Sequence, residues 1–71
     1  MNAAQQLIEQ GREEGLRAAI TDVLGVRGVV LSEVGRVRLA SCGELATLTR
    51  WLKRAAIASS EAEVFAGEST P

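Results

Sequence analysis

A chain of 71 residues, 46% hydrophobic, with two aromatic residues, no histidine and one cysteine, is at most one small domain. This composition excludes a disulfide framework, offers no histidine or cysteine pair for a zinc site, and at a net charge of −1 argues against a general nucleic-acid binder. A domain of this size buries only about 60% of the surface of its unfolded chain, so with disulfides and metals set aside, self-association is the remaining support.

The first stretch, MNAAQQLIEQ, has no basic region followed by an apolar run, so it does not read as a signal peptide. No run approaches the roughly 20 apolar residues of a membrane span. With a single cysteine, these features place the expected location in the cytoplasm. Asn2, with Gln5 three residues on, predicts the start of a first helix running to about Leu24. Its opening half carries a stripe of Ala4, Ile8, Gly11 and Gly15, with Leu7 beside it. Its closing half carries a stronger apolar face of Leu16, Ile20, Val23 and Leu24. Glu13 and Arg17 are spaced to pair, whereas Glu9 and Glu13 repel. Each glycine costs about 1 kcal/mol relative to alanine inside a helix. Gly11 and Gly15 therefore mark either a close helix–helix crossing or a loosely held lead-in.

Gly25 and Gly28 are expected to close this helix. Val29 and Val30 then favour a short extended connection, with a brief strand as one option. Ser32 is a good N-cap for a second helix from Glu33 to about Cys42, with Val34, Val37 and Ala40 on one face. The alternation of Arg36, Val37, Arg38 and Leu39 also permits a hairpin, but no strong two-residue turn signal supports it. Gly43 breaks the chain. The third helix, ELATLTRWLKRAAIA, repeats Leu45, Leu48, Leu52 and Ala55 at steps of three and four, with Trp51 beside them. Ser41 and Glu44 have the spacing of a capping box for it; Ser59 or Ser60 is expected to cap a fourth short helix, Ser60 having the same spacing to Glu63, and this helix returns Val64 and Phe65 to the core.

Charge is uneven along the chain. Arg12 and Arg17 against Glu9, Glu13, Glu14 and Asp22 leave the first third acidic. The centre, with Arg27, Arg36, Arg38, Arg50, Lys53 and Arg54 against Glu33 and Glu44, is basic, and Glu61, Glu63 and Glu68 make the last part acidic. If the second and third helices pair as a helix-turn-helix, Arg36, Arg38, Arg50, Lys53 and Arg54 would form a phosphate-facing patch. No second aromatic or amide side chain lies near it to read bases. Catalysis finds no support. Cys42 has no histidine partner, the glycines at 25, 28 and 35 match no phosphate loop, and a chain this short leaves little room for a ligand pocket.

The order EQGREEGLRAAI, VLGVRGVVLSEV and RVRLASCGELATLTRWLKRAAIASSEAEVF resembles the small C-terminal helical segment of bacterial recombination-promoting nuclease (Rpn) and YhgA-like transposase-related proteins. The matching residues are Arg27, Gly28, Leu31, Ser32, Arg36, Arg38, Leu39, Cys42, Glu44, Leu45, Leu48, Trp51, Leu52, Arg54, Ala55, Val64 and Phe65, over roughly residues 7–66. In that group the nuclease chemistry belongs to an N-terminal domain of the PD-(D/E)XK type. Its acidic residues and lysine have no counterpart here, so the resemblance implies an appended domain, or a stand-alone copy of one, without a catalytic role.

The expectation is an all-α domain over residues 1–66: a long leading helix (1–25), then a compact part (32–66) of two helices and a short terminal one, followed by a disordered tail at 67–71. The expected association face is Ala4, Ile8, Gly11, Gly15, Leu16, Ile20 and Val23. The expected core is Leu24, Val34, Val37, Leu45, Leu48, Trp51, Leu52, Ala55 and Phe65. No cofactor, metal or small-molecule substrate is expected. The expected partner is a second copy or a larger protein, because so much aliphatic surface exceeds what one copy would hide.

Overall fold

A computed structural model describes residues 2–67 and is all-α. The order is α1 (Ala3–Arg27), α2 (Glu33–Ser41), α3 (Leu45–Ala55) and α4 (Glu61–Val64), with no strand among the described residues. The option of a hairpin or brief strand at residues 29–39 is therefore excluded. Most of the expected tail, residues 68–71, lies outside the described residues.

Local signals set both ends of α1. The Asn2 side chain accepts from the Gln5 N–H at 2.8 Å, and the Gln5 side chain accepts from the Asn2 N–H at 3.1 Å, which satisfies donors that the first turn leaves unpaired. The helix passes through Gly25 and ends three residues beyond the expected stop. Gly28 adopts φ 73°, its N–H donates to Gly25 O at 3.2 Å, and the Val29 N–H donates to Leu24 O at 2.9 Å. This pair of bonds is a Schellman ending. It turns Val29 back onto Leu24, and both are buried.

The core is one cluster of Ile20, Leu24, Val29, Leu39, Leu48, Trp51, Ala55, Ala58 and Val64, with Leu16, Val23, Leu31, Cys42, Leu52 and Phe65 packed around it. Ile20, Leu48 and Val64 are its largest fully enclosed side chains. α3 lies across the second half of α1 and supplies a buried row of Leu48, Trp51 and Ala55, with Leu45 and Leu52 half-buried. Phe65 meets the Trp51 ring edge-to-face, centroids 4.8 Å apart, a geometry that adds about 0.5–1.5 kcal/mol to the area buried. Arg38 stands over the other side of this pair, 5.1 Å from the Phe65 centroid. The Arg27 Nε–H donates to Ala58 O at 2.8 Å and ties the end of α1 to the α3–α4 turn.

Several expectations need correction. Ile20 belongs to the chain's own core rather than to an association face, and Leu16 and Val23 pack against that core. The central apolar cluster therefore closes within one copy. Val34 and Val37 are 72% and 60% exposed and lie outside the core. α2 turns Gly35 and Leu39 inward instead: Leu39 joins the core, and Gly35 leaves room for the Glu61 carboxylate of α4. Glu61 Oε1 accepts from Ser32 Oγ at 2.8 Å and from the Ser32 N–H at 3.1 Å, while Ser32 Oγ accepts from the Gly35 N–H at 3.1 Å. A side chain at position 35 would collide with that carboxylate.

Two capping assignments also shift. Ser41 does not cap α3, since its hydroxyl donates back to Val37 O within α2, and Glu44 begins α3 without a side-chain cap. Ser60 begins α4, again without a side-chain cap, but Glu63 Oε2 accepts from the Ser59 N–H at 2.7 Å.

Candidate association surface

α1 carries two unlike rows. Leu16, Ile20 and Leu24 lie toward the core. On the opposite side, Ala4, Leu7, Gly11, Glu14, Ala18, Thr21 and Gly25 recur at helical spacing, and every one of them is exposed, Glu14 being the one charged member. Leu7 and Ile8 are 68% and 56% exposed, although they are the largest apolar side chains in the first three turns. A methyl group added at Gly11 or Gly15 would meet nothing within 4 Å. A close crossing, one of the two readings of these glycines, is therefore not made within the chain. Of the expected association face, Ala4, Ile8, Gly11 and Gly15 remain open.

The second feature escaped the sequence. Residues of α1, α2 and the connection between them line an open groove of about 560 Å³. Ala18, Thr21 and Gly25 form its α1 wall, Leu39 and Ala40 its α2 wall, and Leu24, Val29, Val30 and Leu31 its floor and end. The volume lies within the usual range for a binding cleft, of roughly 300–1,000 Å³, and corrects the expectation that so short a chain has no room for one. Helical spacing could not reveal it, because its shape depends on the angle between two helices.

Two arginines line the groove. Arg17 is anchored: its Nη2–H donates to Cys42 O at 2.9 Å, and the same nitrogen stands 3.9 Å from Glu13 Oε1, the i,i+4 pair expected from the sequence. Its Nε is buried without a hydrogen-bond partner among the described residues. Arg36, from α2, is exposed. No acidic residue lines the groove.

The residues of the expected phosphate-facing patch do not line one common cleft. Arg36, Arg38 and Arg54 line three different clefts, with Arg38 occupied by Phe65 and Arg54 half-buried beside Ile57 and Glu63. Arg50 and Lys53 are exposed on α3. Cys42 is partly buried against the core, as a small apolar side chain would be. No group of three or more metal-ligating side chains occurs among the described residues, and no helix there is long and apolar enough to cross a membrane. Comparison with protein-family models, curated proteins and solved structures finds no match to this chain.

Proposed function

We propose that the protein is a non-catalytic association module that joins copies of itself through the free half of α1. The observation that carries this reading is the exposure of Leu7 and Ile8 beside two glycines with open space around them. Burying a leucine or isoleucine contributes about 1.5–3 kcal/mol, and glycine on the facing surface lets two helix backbones approach closely. Both features gain nothing inside one chain and something between two. The resemblance to the tail of recombination-promoting nuclease proteins extends the proposal, in that such a module would bring together the larger domains to which it is attached.

Light scattering and sedimentation equilibrium at micromolar concentration test this. The expected result is a reversible assembly that Gly15→Leu weakens, because a bulky side chain would hold the helices apart. A strict monomer with a high melting temperature overturns the reading.

A further inference from the structure

We propose that the α1–α2 groove is the seat for the first turns of α1 from a second copy, with Leu7 foremost, in a reciprocal antiparallel dimer. This inference rests on the self-association reading and adds its docking site. Three observations select the occupant. First, Leu7 lies on the same row of α1 as Ala18, Thr21 and Gly25, which line the groove. One helix face thus carries both the protruding side chain and the small residues that would receive it, as a two-fold contact requires.

Second, the midpoint between Leu7 and Thr21, and between Ala4 and Gly25, falls in the turn bounded by Gly11 and Gly15. A two-fold axis there falls on Glu14, with Gly11 and Gly15 to either side and open space around both glycines. It brings the Glu14 carboxylates of the two copies together, so Glu14→Gln is expected to tighten the dimer. Third, the charges are complementary. Beyond the Glu13–Arg17 pair made within the chain, residues 2–15 hold Glu9 and Glu14 against Arg12, whereas the groove keeps the exposed Arg36 and no acid. Opposite charge steers the approach and sets the register.

The test is complementation between two surface variants of the full chain, Leu7→Glu and Ala40→Glu. Both positions are exposed, and circular dichroism at low concentration checks that each variant folds. Leu7→Glu spoils the inserted side chain and keeps the groove, while Ala40→Glu does the reverse. Each variant alone is expected to raise the dimer dissociation constant by about tenfold or more, the equivalent of about 1.4 kcal/mol. Mixing the two restores one good contact of two, so a heterodimer forms more tightly than either homodimer and less tightly than the wild type.

Arg36→Glu is expected to weaken the wild-type dimer several-fold, and more so at low salt. A wild type that dimerises while Ala40→Glu leaves its dissociation constant unchanged overturns the groove and leaves self-association standing. A mixture no tighter than its components also overturns the groove. A wild type that stays monomeric overturns the self-association reading itself.

Discussion

The two halves of α1 are continuous in backbone and opposite in what holds them. From Leu16 onward the helix is anchored by Ile20 and Leu24 in the core, by Arg17 on Cys42 O, by Arg27 on Ala58 O and by the Schellman turn at Gly28. Before Leu16 it has its capping box at Asn2 and, near its end, the Glu13–Arg17 pair, but no residue in the core. A helix of about 12 residues is marginal in water on its own, because nucleation is costly. Here the anchored half supplies the nucleus and the leading half extends from it. Helical structure in the leading half therefore says nothing about tertiary support, and its apolar residues are free to serve another surface.

The largest expected effect lies in the anchored half's packing partner. Leu48→Ala empties a fully buried site under α1 and should destabilise the fold by about 2–5 kcal/mol. A domain of this size has only about 4–10 kcal/mol to lose. Urea unfolding followed by Trp51 fluorescence measures this. Leu7→Ala, measured below the concentration at which copies associate, should change stability by less than about 0.5 kcal/mol. Equal losses at the two positions would erase the distinction between the halves.

Next in size is Gly28→Ala. The φ of 73° is one that alanine adopts at a cost of about 1–2 kcal/mol, with no steric clash to add to it. Thermal unfolding should register that loss. Gly11→Ala should do the opposite in the monomer, stabilising the helix by about 0.5–1 kcal/mol through propensity alone. The same substitution should weaken the dimer if Gly11 sits at a close crossing. Opposite signs for monomer stability and dimer affinity sharpen the contrast between the halves, and a gain in both would dissolve it.

What could be read in the sequence divides along the same physical line. Signals acting within four or five residues were legible: the Asn2–Gln5 box, the glycine stop, the Ser32 cap and the Leu48–Trp51–Ala55 row. Signals carried by distant residues were not. The facing of α2 follows from distant residues, since Leu39 joins the core and Glu61 bonds Ser32 across 29 residues, while Val34 and Val37 stay outside. Ser41 had two acceptable hydrogen-bonding roles, and its bond to Val37 O within the helix prevailed over the cap. The groove brings together residues 17–25 of α1 with residues 29–40, and has no local sequence mark.

The smallest expected effect isolates that long-range contact. In Gly35→Ala the new methyl group must displace the Glu61 carboxylate, the movable end of a flexible side chain, and with it two hydrogen bonds to Ser32. The loss of those partly solvated bonds, roughly 1–2 kcal/mol, is offset by about 1 kcal/mol of helix propensity gained. The net change should stay within about 1 kcal/mol, too small to interpret alone. The double-mutant cycle is informative instead. Glu61→Ala should destabilise the wild type by about 1 kcal/mol and have little effect once Gly35→Ala has already expelled the carboxylate. Additive effects would mean that Glu61 does not cap α2. The packing of the carboxylate over Gly35 would then contribute nothing measurable to the fold.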